Sequence, residues 1–95
     1  MVEFLYIMLM ENKNKLNFEV ISRHVEHLKK LEVAGKLILC GPFTDYGGGM
    51  VVLNVSSYEE ANEICTSDPY ISEGYKTYQL RTLECANKDN HYLLT

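Results

Sequence analysis

The sequence contains no tryptophan, only two prolines and only three cysteines among its 95 residues. The cysteines, Cys40, Cys65 and Cys85, are odd in number and form no CxxC pair. We therefore expect reduced thiols without a catalytic role, in a cytoplasmic protein. No Pro-rich, Ser-rich or charge-run segment suggests a linker, so residues 1–95 are expected to form one domain, with 85–95 as its tail.

Long hydrophobic runs and clustered positive charge are also missing. The longest apolar run, Phe4 to Met10, is too short to span a bilayer, and the N-terminus lacks the order of a signal peptide. The net charge is −4 and the basic residues are scattered, so neither a membrane nor a nucleic acid is an expected partner. The 46% of hydrophobic residues is typical of a globular chain.

The pattern of apolar residues predicts the order β-α-β-β-α-β, a ferredoxin-like α+β fold with a four-stranded antiparallel sheet. Strands are expected at residues 3–10, 36–40, 50–55 and 75–83. One helix is expected at 17–31, and a second opens at the capping box of Ser57 and Glu60. Asp68-Pro69 predicts a further helical turn, and the glycines at 47–49 predict a hairpin turn.

The first strand is apolar on both faces. Two alternating sets of side chains make up these faces: Phe4, Tyr6 and Met8, and Leu5, Ile7 and Leu9. An antiparallel strand with one solvated face alternates with polar residues instead. Because two helices cover only one face of such a sheet, we expect the other face to pack on a second copy in a homodimer.

Two histidines occupy different angles on the first helix. With Phe18 at zero and about 100° per residue, His24 falls inside the apolar stripe and His27 falls at or beyond its edge. His24 is therefore expected to point toward the sheet, and His27 to be exposed. From spacing alone, the ordinary alternatives are a core histidine bonded to a backbone carbonyl and, for Asp68, a simple N-cap.

Six short motifs follow one another along the chain. They are His24-Val25-x-x-Leu28-x-x-Leu31, Gly35-Lys36-Leu37, Gly41-Pro42-Phe43, Gly47-Gly48-Gly49, Ser57-x-Glu59-Glu60-Ala61, and Asp68-Pro69-Tyr70 with Gly74 six residues after the aspartate. In this order and spacing they resemble the YciI-like family (YCII-related domain), which belongs to the dimeric α/β-barrel proteins. The resemblance runs from Phe4 to about Leu83.

The resemblance implies a His–Asp pair in a cleft between helices and sheet, at His24 and Asp68. A neutral imidazole can take a proton near pH 7, and a carboxylate on its other nitrogen fixes the tautomer. The backbone leaves the sheet at Gly41 and Pro42, which are candidates for the rim of a substrate cleft. Tyr70 follows the Asp-Pro closely enough to line it, although ordinary packing explains this residue equally well.

The leading hypothesis is a small-molecule enzyme in which His24 is the general acid or base and Asp68 orients it. The resemblance points to elimination or isomerisation of a small cyclic or unsaturated compound. The alternatives are a non-catalytic ligand-binding or accessory module and a haem- or quinone-linked monooxygenase on the same barrel. Against the latter stand the missing tryptophan and the carboxylate partner of His24.

No metal ion or other cofactor is expected. His24 and His27 form an HxxH pair, but no third ligand has suitable spacing. The glycines at 47–49 lack the Lys-Ser/Thr of a phosphate-binding loop. The expected partners are therefore a small-molecule ligand and a second copy of the chain.

Overall fold

The computed structural model describes residues 3–94; Met1, Val2 and Thr95, which belong to the expected domain and tail, lie outside the described residues. The elements are β1 (Phe4–Asn12), α1 (Phe18–Val33), β2 (Leu37–Pro42), β3 (Gly48–Leu53), α2 (Tyr58–Ser67), α3 (Pro69–Ser72), β4 (Lys76–Glu84) and a 3₁₀ segment (Lys88–Leu93). The predicted ferredoxin-like α+β fold is confirmed, with α3 as the predicted short turn. No helix within this range is long and apolar enough to cross a bilayer.

The four strands form one antiparallel sheet in the order β2-β3-β1-β4. The apolar strand β1 is central, and its Met8 lies opposite Val51 of β3 and Leu80 of β4. β1 extends two residues past its predicted end, because Glu11 pairs with both neighbouring strands. The edge strands are therefore β2 and β4.

The helices cover one face of this sheet and form the core with it. The buried residues of this cluster are Tyr6, Met8, Met10, Val51, Leu53 and Leu80 from the sheet and Val20, Leu31, Ala61, Cys65 and Tyr70 from the helices. Burying an aliphatic or aromatic side chain of this size stabilises a fold by roughly 1.5–3 kcal/mol. The sheet side of the core thus consists of alternating residues of β1 and β3, with Leu80 of β4.

The helix ends follow the local sequence signals. The Asn17 side chain accepts a hydrogen bond from the backbone N–H of Val20 at 2.9 Å and caps α1. Gly35, at φ +74°, adopts the left-handed conformation just after this helix. At α2, Ser57 caps as expected, but the Glu60 carboxylate returns to Ser56 rather than to Ser57.

The predicted glycine turn is wrong for two of its three residues. Gly48 and Gly49 lie in β3 and are buried. A Cβ at Gly48 would overlap the carbonyl oxygen of Met10, and one at Gly49 would lie 2.7 Å from that of Gly41. These glycines are needed because neighbouring strands approach closely, which a single strand's sequence does not reveal.

The predicted inner stripe of α1 is wrong at its outer margin. The buried residues Val20, His24 and Leu31 centre the covered face at about 220° on the wheel, whereas Phe18 lies at zero and is 83% exposed. His27, at about 180°, is half-buried rather than exposed. The apolar residues of α1 span a wider angle than the buried side of the helix, so the predicted centre of the buried side is displaced toward Phe18.

Candidate functional site

A cavity of about 410 Å³ lies between α1 and the β2–β3 side of the sheet. Its wall is mostly apolar and is formed by Met10, Leu16, His24, Val25, Leu28, Cys40, Gly41, Pro42, Gly49, Met50, Val51, Tyr70 and Lys76. Its volume falls within the range of small-molecule sites, which combine an apolar wall with a few polar groups. Four of the five residues that the sequence nominated line it: His24, Gly41, Pro42 and Tyr70.

The fifth, Asp68, lies behind His24. The Nδ1 atom of His24 is 2.9 Å from each Asp68 carboxylate oxygen, and Asp68 is 1% exposed. Asp68 Oδ1 also accepts a hydrogen bond from the backbone N–H of Tyr70 at 2.9 Å, as the N-cap of α3. Asp68 therefore both caps α3 and contacts His24. His24 bonds a carboxylate and not a backbone carbonyl.

The partner of Nδ1 favours one tautomer of the neutral His24 ring. An ionised carboxylate only accepts hydrogen bonds, so opposite such a partner the hydrogen belongs to Nδ1. Nε2 then keeps its lone pair, on a histidine that forms part of the cavity wall. Chemically, Nε2 can accept a proton from a bound molecule, and the buried carboxylate would stabilise the resulting imidazolium.

Tyr70 fixes the plane of the imidazole. Its ring stacks on the His24 ring with centroids 3.8 Å apart and an interplanar angle of 13°. Burial, together with the nearby Asp68 carboxylate, raises the pKa of the Tyr70 hydroxyl. Tyr70 is therefore a neutral, rigid support for His24 near pH 7.

Lys76 is the site residue that the sequence analysis missed. It is 8% exposed, lines the cavity, and its Nζ lies 4.7 Å from the centroid of the Tyr70 ring. Burial lowers the pKa of the Lys76 ammonium, while the Asp68 carboxylate opposes that shift. The alternation of side chains along β4 could have predicted its position, because Lys76 lies four residues before the inward-facing Leu80 and therefore on the same face.

The expectation that the backbone leaves the sheet at Gly41 and Pro42 is wrong, because both residues pair with β3 at the end of the edge strand β2. They nevertheless form one wall of the cavity with Cys40. Burial and the Glu32 carboxylate raise the pKa of the Cys40 thiol. Burial and the Asp68 carboxylate raise the pKa of Cys65 to about 12. Both thiols are therefore protonated and weakly nucleophilic near neutral pH.

His27 is not among the residues of the cavity wall. Burial lowers its pKa, and the neighbouring His24 adds to that shift while Asp68 opposes it. Within residues 3–94 no group of three or more His, Cys, Asp or Glu side chains could hold a metal ion.

Polar contacts at the protein surface hold α1 against the segment that carries Asp68. Arg23, next to His24, forms a paired contact with Glu73, in which Nη2 lies 2.9 Å from Oε1. The Asn14 side chain donates to the carbonyl oxygen of Gly74 at 2.7 Å. Such exposed contacts contribute little stability each, but they tie α1 and the loop before it to the residues that follow α3.

Comparison with known proteins gives three findings. The family model of the YCII-related domain matches residues 4–84. A Bacillus subtilis (strain 168) protein, described as uncharacterized protein YjpA, is 38% identical over 71 residues, covering 75% of this chain and 84% of its own. The fold is similar to 5-chloro-2-hydroxyhydroquinone dehydrochlorinase (TftG) from Burkholderia phenoliruptrix AC1100, solved with 2,5-dihydroxybenzoquinone. That likeness has a TM-score of 0.63 at 17% identity, covers 90% of this chain and 97% of the other, and concerns the fold alone.

Proposed function

Because the chain belongs to the YCII-related domain family, we propose that it is a small-molecule enzyme whose His24–Asp68 pair transfers a proton. The observation that carries this proposal is the bond of 2.9 Å between a buried histidine and a fully buried carboxylate beside a mostly apolar cavity. Hydrogen bonds to His24 and to the N–H of Tyr70 offset the cost of burying the Asp68 carboxylate. An ionisable pair held in this way beside a mostly apolar cavity supports a functional role for the site.

In the proposed reaction, Nε2 of His24 takes a proton from a carbon or oxygen of the bound molecule. Asp68 stabilises the imidazolium, and His24 then returns the proton to the leaving group or to another carbon. The first route is an elimination and the second an isomerisation. Neither route uses Cys40, whose thiol is protonated near neutral pH.

The size and polarity of the cavity support a small cyclic or unsaturated substrate. About 410 Å³ accommodates one substituted ring, and the apolar wall favours a molecule with few polar groups. The structurally similar TftG is a dehydrochlorinase that was solved with a benzoquinone. Its chemistry belongs to the same class of elimination on an unsaturated ring.

The test starts from a ligand screen with small acids, lactones and chlorinated phenols, because a ligand well above its dissociation constant raises the melting temperature. Turnover of the compounds that bind is then measured for the wild type and variants. His24→Ala should lower turnover by roughly 10²–10⁴-fold, the usual contribution of a general acid or base.

Two further variants distinguish a catalytic effect of the His24–Asp68 pair from a general effect on the fold. Asp68→Asn should lower turnover at little cost in stability, because asparagine also caps a helix. His27→Ala should leave turnover unchanged, and circular dichroism should show that all three variants are folded. Unchanged turnover in His24→Ala contradicts the proposal. Ligands that bind without any turnover favour a non-catalytic binding module instead.

We also propose that the sheet face opposite the helices packs on a second copy of the chain. Leu5, Ile7 and Leu9 of β1 lie on this face and are only half-buried. Leu39 and Leu83, on the flanking strands, are 52% and 47% exposed. Apolar area of this extent on a sheet supports an interaction surface, and an antiparallel sheet packs well against its own copy.

A further inference from the structure

One charged side chain of the cavity has no partner in the proton-transfer scheme. Lys76 is 8% exposed, and it is the one Lys or Arg among the described residues that line the cavity. Its Nζ lies over the face of the Tyr70 ring. Burial lowers the pKa of the Lys76 ammonium and the Asp68 carboxylate opposes that shift, with no contribution from a hydrogen-bonded acceptor. No side-chain nitrogen or oxygen of the described residues is both fully buried and without a hydrogen-bond partner, so the Lys76 ammonium keeps some access to solvent at the cavity wall.

The strand register explains why Lys76 points into the fold. It is the first residue of β4 and pairs with Asn12 at the end of β1. Residues at alternating positions of β4 face the helices, as the buried Leu80 does. The side chain is therefore directed toward the cavity by the sheet, a rigid element, rather than by a flexible loop.

We propose that Lys76 binds an anionic oxygen of the substrate, so that the site selects small unsaturated rings that bear a carboxylate, enolate or phenolate. This inference rests on the proposed function, whose reaction it completes. The observation that carries it is a largely buried lysine whose ammonium has no ion-pair partner among the described residues and lies at the wall of a mostly apolar cavity large enough for one ring.

The electron balance of the reaction gives the ammonium its role. When Nε2 of His24 takes a proton, the electron pair of the broken C–H or O–H bond stays on the substrate and delocalises onto its oxygen. A positive charge fixed beside that oxygen stabilises the anion without reorganisation of solvent. After the transfer, the positive charges of His24 and Lys76 lie beside the negative charges of Asp68 and the substrate and partly offset them.

Tyr70 links the two groups geometrically. The His24 ring lies 3.8 Å from the Tyr70 centroid, and Lys76 Nζ lies 4.7 Å from it. Both His24 and Lys76 also belong to the wall of the same cavity, so a molecule bound there lies beside both residues. The proposal therefore places the proton acceptor and the cation at different edges of one ligand.

The test compares the binding of benzoate with that of benzamide, its neutral analogue, by isothermal titration calorimetry. The wild type should bind benzoate at least about tenfold more tightly, since a hydrogen bond to a charged group is worth at least that factor. Lys76→Met should remove this preference and leave benzamide binding unchanged, whereas Lys76→Arg should keep it. Lys29→Met, which removes an exposed lysine of α1, is the matched control and should behave as the wild type.

A 4-nitrophenol arm, run where the phenol is ionised, tells phenolate recognition from carboxylate recognition, and preference for either anion supports the inference. Equal affinities for benzoate and benzamide without any phenolate preference, no binding of any of the three, or the same preference in Lys76→Met overturns it. Should Lys76→Met not fold, the ε-methylene resonances of Lys76 in the wild type decide. They should shift on titration with the anion and stay in place with benzamide.

The two proposals fail separately. If His24→Ala abolishes turnover while Lys76→Met keeps its preference for the anion, only the inference about Lys76 is wrong. If Lys76→Met loses that preference while His24→Ala keeps turnover, the proton-transfer proposal is wrong and the anion site stands.

Discussion

The two faces of the sheet carry similar side chains in very different surroundings. On the helix-covered face, Met8 is 1% exposed and Leu53 is fully buried. On the open face, Leu39 is 52% exposed and Ile7 is half-buried. Because successive residues of a strand point to opposite faces, one apolar strand supplies both surfaces. Apolar character alone therefore does not identify the core; the position of the helices does.

The candidate site lies entirely on the covered face. His24, Asp68 and Lys76 are each more than nine-tenths buried, and all three lie on that side. Electrostatic interactions are stronger where water is excluded, so a proton acceptor and a cation act there with greater effect.

The largest effect is expected from a truncation on the covered face. Leu53→Ala should lower the free energy of unfolding by about 2–5 kcal/mol, because it leaves a cavity beside β1. Leu94→Ala, at a residue that is 86% exposed, is the matched control and should change stability by less than about 0.5 kcal/mol. Urea unfolding measures both. Similar losses in the two variants would contradict the assignment of the core to this face.

A charge on the open face should separate assembly from folding. Leu5→Glu places a carboxylate on the open face opposite Leu83 rather than opposite a basic side chain. Because Leu5 is only half-buried, the monomer can stay folded, whereas the carboxylate would be buried between two sheets and the homodimer should dissociate. Light scattering at micromolar concentration should give a dimer mass for the wild type and for Leu5→Val, and a monomer mass for Leu5→Glu. A monomeric wild type would contradict the proposed assembly.

Much of the fold could be predicted from local signals, because those signals act over a few residues. The order of the elements, the caps at Asn17 and Ser57, and the inward angle of His24 all follow from spacing along one element. The bond between His24 and Asp68 needs the relative placement of α1 and α3. Sequence spacing alone gave each residue only its ordinary structural explanation, and the family resemblance was needed to pair them.

What the sequence did not reveal depends on contacts between elements. Phe18 continues the apolar stripe of α1 but is 83% exposed, and Val25 borders the cavity rather than the packed core. Gly48 and Gly49 belong to a glycine-rich segment that is typical of a turn. Their role is to allow the close approach of the neighbouring strands, which the sequence of one strand does not show. A lysine at the start of a strand is ordinarily exposed to solvent. The sequence therefore indicated the burial of Lys76 only through its alternation with Leu80 on the same face of β4.

The smallest effect on stability is expected where α2 contacts the residues next to the edge strand β2. The Glu60 carboxylate pairs with Lys36 Nζ at 2.9 Å and accepts hydrogen bonds from the Ser56 hydroxyl and N–H. Lys36, followed by Ser56, lowers the pKa of Glu60 from 4.5 to about 2. Because the folded pKa lies below the unfolded one, this stability is fully present above pH 4.5 and is lost as the pH falls toward 2.

Glu60→Gln should therefore be slightly less stable than the wild type at pH 7, and the difference should shrink between pH 4.5 and 2. The carboxylate is accessible to solvent, so added salt should reduce the difference as well. Urea unfolding at pH 7, 4 and 2.5 measures it, with Glu59→Gln as the control for an exposed carboxylate one residue away. A difference that persists unchanged at pH 2 would show that Glu60 stabilises this contact through packing and not through its charge. The covered face would then be held in place by apolar contacts even at its edge.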